Sequence, residues 1–501
     1  GTGLVLQNNG AGNLSISATG GFVFSTAVDS GGTYRVSVLT QPSNPDQTCT
    51  VTNGSGSASA NITSVLVSCA ALHNVWTWVG GSSAAGAAGV YGTQGVAAAS
   101  NIPGARALAV SGTDGSGNFW LFGGATGDSS GIPEEINDLW KYSPSSGEWT
   151  WIDGSSQIDQ VGSYGTKGTA TTGNIPGSRF DATGSVDSSG NLWVFGGVGY
   201  TPASFGVVND LWKYSAGEWT WVSGSDVISQ GGIYGNQGVA DPGNVPLARY
   251  DAVSWTDAAG NFWLFGGVPW WESGFLNDLW KYDPTTGEWT WMSGSQMTDR
   301  NGVYGTEGAA DSGNIPGTRA LSVSWTDLSG NLWLFGGFGY DSLANIGTLN
   351  DLWKYSPTSG EWTYMGGSES NSSSGSFGTQ GSALSANSPS ARQGASGWTD
   401  ASGNFWLFGG LGQDSTGTAG SLSDLWKYSG GAWTWVSGSK SANQSGIYGS
   451  KGTAALSNAP GARAGAMIWI DSSGDLWLFG GNSTETAGSF IGLNDLWEYT
   501  P

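Results

Sequence analysis

Short strand-like segments follow one another along the whole chain. Apolar and polar positions alternate with a period of two, or apolar residues form short runs, and Gly, Pro, Asn and Asp separate these segments. No stretch shows the 3.6-residue apolar period of an amphipathic helix. The pattern therefore predicts an all-β protein.

One series of sequence elements recurs six times from residue 74 onward, with a period of about 70 residues. The series runs P-x-x-R, D-x-x-G-N, W-x-F-G-G, D-L-W-K-Y, E-W-T-W and Y-G-x-x-G. Each copy predicts four strands: strand a begins at the arginine, strand b holds W-x-F-G-G, strand c holds D-L-W-K-Y and strand d holds E-W-T-W. The W-x-F-G-G elements occupy residues 120–124, 193–197, 263–267, 333–337, 406–410 and 477–481.

The copies are offset at the two ends of the repeat array. A W-T-W element at 76–78 precedes every F-G-G, and no W-T-W follows the last D-L-W at 495–497. We therefore expect residues 75–79 to serve as strand d of the last repeat. A ring closed in this way has no open sheet edge at its seam.

Residues 1–72 lie outside the repeats and predict six short strands. The small antiparallel β-sandwich that they would form is similar to immunoglobulin-type (Ig-like) domains, which usually have at least seven strands. We expect the missing strand to belong to lost upstream sequence or to a neighbouring molecule. The predicted strands are 4–7, 13–17, 22–27, 33–39, 47–52 and 64–69.

Both cysteines of the chain, Cys49 and Cys69, lie in this N-terminal segment. Two cysteines on neighbouring strands favour a disulfide and hence an oxidising compartment. The alternative is a pair of buried thiols.

The four-stranded repeats, with Gly-Gly after strand b and spaced aromatic residues downstream, resemble kelch repeats over about 430 of the 501 residues. The resemblance implies that residues 73–501 form a six-bladed kelch-type β-propeller. Propellers of the galactose oxidase type also carry a copper centre of His and Tyr. The repeats here contain no Cys and no His, because the one histidine is His73 in the linker. We therefore expect neither that copper site nor a Ser-His-Asp triad.

The formal charge is −22, and only 16 residues are Lys or Arg. Most of these cations occupy fixed repeat positions, so no basic patch remains for nucleic acid. No apolar run reaches the 18 residues of a membrane span. The chain begins at Gly1 without a signal peptide, which predicts a processed chain or a fragment.

The repeated arginines are candidates for structural ion-pair hubs, since the planar guanidinium suits bidentate pairing with a carboxylate. Lining of a channel is the alternative. They are Arg106, Arg179, Arg249, Arg319, Arg392 and Arg463.

Trp270 and Trp271 are the tryptophans outside the repeat pattern, and they follow strand b of the third repeat. They are candidates for binding a sugar face or a partner protein, together with Tyr200 and Tyr340 in equivalent loops. The alternative is that the Trp pair caps its own blade or plugs the ring. Two Asp-rich loops, at Asp341 and Asp414, are candidates for calcium, although neither has the ligand spacing of a calcium motif.

These features favour a non-enzymatic, extracellular or cell-surface scaffold without a cofactor, which binds protein partners. It would be a subunit of a fibre assembled by strand addition through the N-terminal sandwich. A glycan-binding propeller is the alternative. A carbohydrate-active enzyme with a carboxylate pair is a third interpretation, although no pair among the 38 acidic residues is singled out.

Overall fold

The computed structural model describes residues 3–42, 47–127, 133–269, 274–483 and 491–501. Every regular element in these ranges is a β-strand, so the predicted all-β class is confirmed. The described residues contain no helix with the length and hydropathy of a membrane span. The chain divides into two compact units: 1–79 with 448–458 and 499–501, and 80–447 with 459–498. The predicted domain boundary between residues 72 and 73 stays a prediction.

The N-terminal part of the first unit forms two small antiparallel sheets, with strand orders β2-β1-β3-β5 and β4-β6. Leu4, Leu6 and Cys49 are its buried core, since alternate side chains of β1 and β4 point to the same interior. The strands are β1 (Leu4–Asn8), β2 (Ala11–Ile16), β3 (Thr33–Thr40), β4 (Gln47–Thr52), β5 (Ser55–Ser57) and β6 (Leu66–Ala71).

The predicted strand at 22–27 is wrong. Residues 21–28 are irregular, and Phe22 and Phe24 pack edge to face at 6.1 Å beside the Leu4–Leu6 core. The alternation of apolar and polar residues at 22–27 arises because two aromatic rings are packed against the core. Among the described residues the segment has no hydrogen-bonded neighbour strand, so it is not a β-strand. The structure has instead β5, whose sequence Ser-Gly-Ser carries no apolar signal.

Cys49 and Cys69 lie directly opposite each other on β4 and β6 and form a disulfide. The predicted disulfide is therefore confirmed. It joins the two strands of the smaller sheet.

The remaining strands belong to the repeats. From residue 75 to 223 they are β7 (Val75–Gly80), β8 (Val110–Thr113), β9 (Phe119–Phe122), β10 (Ala125–Gly127), β11 (Pro133–Glu135), β12 (Leu139–Ser143), β13 (Glu148–Asp153), β14 (Arg179–Phe180), β15 (Thr183–Val186), β16 (Leu192–Phe195), β17 (Val198–Tyr200), β18 (Phe205–Val207), β19 (Leu211–Ser215) and β20 (Glu218–Ser223).

From residue 253 to 366 they are β21 (Val253–Thr256), β22 (Phe262–Gly267), β23 (Leu276–Asp283), β24 (Glu288–Ser293), β25 (Ala310–Asp311), β26 (Arg319–Ala320), β27 (Val323–Thr326), β28 (Leu332–Tyr340), β29 (Ile346–Ser356) and β30 (Glu361–Gly366). The last are β31 (Arg392–Gln393), β32 (Ser396–Thr399), β33 (Phe405–Phe408), β34 (Leu411–Gln413), β35 (Ala419–Ser421), β36 (Leu425–Ser429), β37 (Ala432–Ser437), β38 (Met467–Ile470), β39 (Leu476–Phe479) and β40 (Leu496–Thr500).

Each repeat gives an antiparallel sheet in the order a-b-c-d, as in β15-β16-β19-β20 and β21-β22-β23-β24. Within the first unit, the Asn74 N–H donates to Thr500 O at 2.7 Å, and the rings of Trp76 and Tyr499 lie 5.0 Å apart. These contacts agree with the predicted pairing of residues 75–79 with the end of the chain.

Strand a begins later than predicted. The arginine precedes it by four residues, as Arg179 precedes Thr183 of β15. The chain bends between them because Asp181 has φ 54°, a left-handed conformation that cannot continue a strand. The arginine segment pairs instead with an extra hairpin, as β14 pairs with β17.

The bend residues of the six repeats form a closed cycle of backbone hydrogen bonds, which we call the axial ring. The N–H of Asp181 donates to Leu108 O at 3.2 Å, and that of Asp251 donates to Asp181 O at 3.0 Å. The same bond follows from Leu321 to Asp251 (3.0 Å), Gly394 to Leu321 (2.8 Å), Gly465 to Gly394 (2.8 Å) and Leu108 to Gly465 (2.9 Å). Every ring residue has a positive φ, between 54° and 64°. The six a strands neighbour one another in the same cyclic order.

The main hydrophobic core lies between the faces of neighbouring sheets. Phe122 of β9 packs on Trp219 of β20 at 5.0 Å, and Phe265 of β22 packs on Trp362 of β30 at 5.4 Å. Both tryptophans are almost fully buried. Aromatic pairs in this geometry add stabilisation beyond the burial of their area, which explains why the repeats retain so many Trp residues.

Candidate functional site

The repeated arginines lie in buried bidentate ion pairs with the aspartate of D-L-W. Arg106 Nη1 and Nη2 lie 2.6 and 2.8 Å from the carboxylate oxygens of Asp138, and both side chains have 0% exposure. Tyr91 donates its hydroxyl to the same carboxylate at 2.7 Å, and Trp140 Nε1 does so at 2.7 Å. The Arg, Trp and Tyr side chains of P-x-x-R, D-L-W and Y-G-x-x-G therefore donate their hydrogen bonds to a buried carboxylate. The other pairs are Arg179–Asp210, Arg249–Asp278, Arg319–Asp351, Arg392–Asp424 and Arg463–Asp495.

The calcium candidates Asp341 and Asp414 close tight turns. Asp341 Oδ1 accepts the N–H groups of Leu343 at 2.9 Å and Asn345 at 2.8 Å. Burial alone would raise the pKa of Asp414, but hydrogen bonds from Thr416 and Thr418 lower it to about 2. Backbone donors therefore already occupy the oxygens that a cation would need.

A different group of carboxylates in the last repeat could hold a cation. Oxygen atoms of Asp471, Asp475 and Glu498 lie within 4.8 Å of one another, and the three residues are partly exposed. Sequence analysis missed this group, although Asp475 and Glu498 stand where the other repeats have Asn and Lys.

Of the four predicted binding residues, Trp270 and Trp271 lie outside the described residues. Tyr200 ends β17, where its ring lies 4.7 Å from Phe205, and burial together with the charges of Asp159 and Glu135 raises the pKa of its hydroxyl. Burial and the neighbouring Asp159 carboxyl raise the pKa of Glu135 to about 7. The surroundings of Tyr200 are therefore acidic.

Tyr340 ends the first arm of the β28–β29 hairpin and lines a cleft of about 510 Å³ in the second unit. Phe275 lies across it, 5.7 Å from the ring of Phe338 and 6.4 Å from that of Tyr340. Asp299 Oδ1 accepts the N–H of Phe275 at 2.9 Å, which holds the carboxylate beside the rings. We call this the aromatic cleft. Tyr200 does not line it.

Asp251 of the axial ring also lines the aromatic cleft. Its backbone N–H donates to the carbonyl oxygen of Asp181, the preceding ring residue, at 3.0 Å, and the two carboxyl groups influence each other electrostatically. Burial raises the pKa of Asp251 to about 7, and burial together with the Asp251 carboxyl raises the pKa of Asp181 well above its usual value. Two carboxyl groups this close cannot both ionise readily, so the pair shares a proton near neutral pH.

Within the described part of the chain, Asp181 Oδ1 is shielded from solvent and has no hydrogen-bond partner. Both aspartates nevertheless keep some accessible surface. Both side chains are therefore partly exposed, and Asp251 is one of the residues that line the aromatic cleft. In the sequence, the pair is visible only at the position two residues after each repeated arginine. That position is Leu, Asp, Asp, Leu, Gly and Gly in the six successive repeats, so only two consecutive repeats have Asp there.

No protein-family model matches this chain, and no curated protein matches it either. The kelch resemblance therefore depends on the repeats themselves.

Proposed function

We propose that the six repeat sheets are the blades of a six-bladed kelch-like β-propeller and that residues 1–72 form an Ig-like β-sandwich. The axial ring supports the propeller, because its hydrogen bonds pass once through every repeat and return to Leu108. The a-b-c-d strand order within each sheet is that of a propeller blade.

The protein would then act as a non-enzymatic extracellular scaffold, a subunit of a fibre assembled by strand addition. The observation that carries this proposal is the edge strand β2. Among the described strands it pairs with β1 alone, and its sequence Ala-Gly-Asn-Leu-Ser-Ile has no charge and no proline. Natural edge strands are normally protected by Lys, Pro or a bulge. The pairing of β2 with β1 has one register shift, between Leu6 and Asn8, but β2 has neither Lys nor Pro, and such an edge suits pairing with a strand of another copy.

The disulfide supports an oxidising, extracellular location for this assembly. The repeated arginines support a structural use of the repeated polar residues, because their guanidinium groups are committed to buried aspartates.

The proposal is tested by adding charge to the β2 edge. Asn13→Lys with Ser15→Lys places two ammonium groups on its exposed positions, while Ser17→Lys with Thr19→Lys adds the same charge just beyond the strand. Negative-stain electron microscopy and sedimentation should show concentration-dependent filaments for the wild type and the control pair, and monomers for the edge pair. Monomers for the wild type at every concentration would sink the proposal.

A glycan-binding propeller is the second candidate, and the aromatic cleft favours it because ring faces stack on sugars. A glycan array with wild type, Tyr340→Ala and Tyr200→Ala separates the two tyrosines, and Trp270→Ala with Trp271→Ala tests the tryptophan pair. Unchanged glycan signals in all of these variants would remove the proposed site.

A carboxylate-pair glycosidase is less favoured. Retaining enzymes use one carboxyl group as an ionised nucleophile, whereas burial raises the pKa of both Asp181 and Asp251. Turnover in a screen of chromogenic glycosides would contradict this assessment.

A further inference from the structure

The aromatic cleft combines aromatic walls with carboxylates. Phe275, Phe338 and Tyr340 form the walls, Asp251 adjoins Tyr250 at one side, and the exposed Asp299 lies at the rim. Among the described residues that line it, none is Lys, Arg or His. Its polar groups are therefore acidic or neutral.

Three arginines that are close in sequence to cleft or ring aspartates make contacts elsewhere. Arg249 and Arg179, each two residues before a ring aspartate, are held at 2.6–2.8 Å by Asp278 and Asp210. Arg300 follows Asp299, but its guanidinium contacts Met297 Sδ at 2.6 Å. Among the residues that the structure describes, no ion pair joins a Lys or Arg to Asp251 or Asp299, and the whole chain carries −22.

This combination discriminates between ligand classes. An ammonium group gains from a carboxylate and from aromatic faces at once, because the ring quadrupole attracts a cation. A neutral sugar gains from stacking but not from the charge, and an anion is repelled.

We propose that the aromatic cleft binds an organic ammonium group, primary or methylated, whose charge pairs with Asp251 and whose alkyl substituents contact Phe275, Phe338 and Tyr340. This site depends neither on fibre formation nor on glycan binding. Filament assembly by the same variants, observed by electron microscopy, keeps failure of the two proposals distinguishable.

The Asp181–Asp251 pair couples this binding to a proton. Near pH 7 the pair holds a proton on one carboxyl oxygen, and a bound cation favours ionisation of both groups. The O–H bond then breaks, the proton passes to the buffer and the ammonium charge replaces it. Tyr250, Asp299 and Tyr340 are the other titratable groups that line the cleft, and burial raises the pKa of Tyr250 to about 12, so it stays neutral. Affinity should therefore rise from pH 6 to 8.

The test is calorimetric titration of the full chain with choline and with its neutral isostere 3,3-dimethylbutan-1-ol. We expect choline to bind with a Kd of roughly 1 mM or tighter and the alcohol to bind about tenfold more weakly or worse. Near pH 6.5, the choline enthalpy should also depend on the ionisation enthalpy of the buffer, because a proton is released.

Four variants sharpen the test. Asp251→Asn should weaken choline binding about tenfold, whereas Asp226→Asn removes an exposed carboxylate outside the cleft and should change nothing. Phe275→Ala should weaken choline binding, and Phe205→Ala, on the hairpin beside Tyr200, should not. Tryptophan fluorescence melting checks that each variant is folded.

Asp181→Asn separates charge pairing from proton release. It removes one partner of the shared proton but leaves Asp251 buried in the cleft, so choline should still bind and its affinity should vary less steeply from pH 6 to 8 than that of the wild type. Equal binding of choline and the alcohol, a choline Kd much weaker than 1 mM, or unchanged binding by Asp251→Asn would each overturn the proposal.

Discussion

The buried Arg319–Asp351 pair offers a sharp test of how the repeats are stabilised. Arg319 makes four hydrogen bonds: to Gly317 O at 3.0 Å, to Gly336 O at 3.1 Å, and to the two oxygens of Asp351 at 2.6 and 2.7 Å. Burial alone would lower the pKa of Arg319, but the Asp351 carboxylate raises it above its usual value. Arg319→Met keeps most of the aliphatic volume and removes all four bonds.

The expected loss follows from what remains in the pocket. Tyr304 and Trp353 still donate to Asp351 Oδ2 at 2.7 and 2.8 Å, but Oδ1 loses the donor that Arg319 supplied. Removing one partner of a buried ion pair costs about 3–5 kcal/mol, since the other charge stays buried without compensation. We expect a loss in this range for the free energy of unfolding of Arg319→Met.

The assay is urea unfolding at 25 °C followed by tryptophan fluorescence, with the loss taken from the shift in midpoint and the slope. Arg300→Met is the matched control, because Arg300 is exposed and should cost less than about 0.5 kcal/mol. The double variant Arg319→Met with Asp351→Asn removes the orphaned charge, while the amide oxygen that replaces the carboxylate can still accept from Tyr304 and Trp353.

The double variant should therefore be more stable than Arg319→Met alone by roughly 1 kcal/mol or more. A single variant that loses under about 1 kcal/mol, or a double variant less stable than the single one, would refute the reasoning.

Three further predictions concern other parts of the fold. The pKa values of Asp251 (about 7) and Asp181 are raised, so the folded state binds more protons than the unfolded state above pH 4, and the thermal midpoint should fall as the pH rises from 4 to 8. Asp181→Asn should make this fall in midpoint smaller. An unchanged dependence of the midpoint on pH would contradict the shared proton. Gly154→Ala should lower the free energy of unfolding by several kcal/mol in urea, because a Cβ there would overlap Asn137 O. Gly168→Ala is the control, since Gly168 has a similar φ of 79° but no atom within 4 Å of the added Cβ, and it should cost only about 1 kcal/mol. Equal losses in the two variants would be inconsistent with the overlap. Cys49→Ser with Cys69→Ser should destabilise the N-terminal sheets by roughly 3 kcal/mol, seen as faster hydrogen exchange in residues 3–71, while the tryptophan fluorescence midpoint stays the same.

The repeat strands could be predicted because their patterns are local. In D-L-W-K-Y, the residues Leu139, Trp140 and Tyr142 are buried while Lys141 is only partly so, and the tight turns beside the strand carry Asp and Gly at the expected places. The extra hairpins were missed because Gly336-Gly337 suggested a strand end, whereas β28 continues through both glycines to Tyr340.

The candidate site could not be predicted to the same extent. Asp181 and Asp251 meet only because residues one repeat apart become neighbours in the axial ring. Nothing in either local sequence indicates that pairing. Phe275 and Phe338 likewise come from different repeats, and their contact depends on how adjacent sheets pack.

The axial ring also constrains how the chain can be synthesised and how it can evolve. Its last hydrogen bond joins Leu108 to Gly465, so a nascent chain must wait until nearly all of the repeats have left the ribosome before the cycle can close. Linear repeat proteins tolerate the gain or loss of one unit, because each repeat contacts only its neighbours. In a cycle of six, deletion of one repeat leaves one N–H donor and one C=O acceptor without partners. The number of repeats is therefore fixed by geometry.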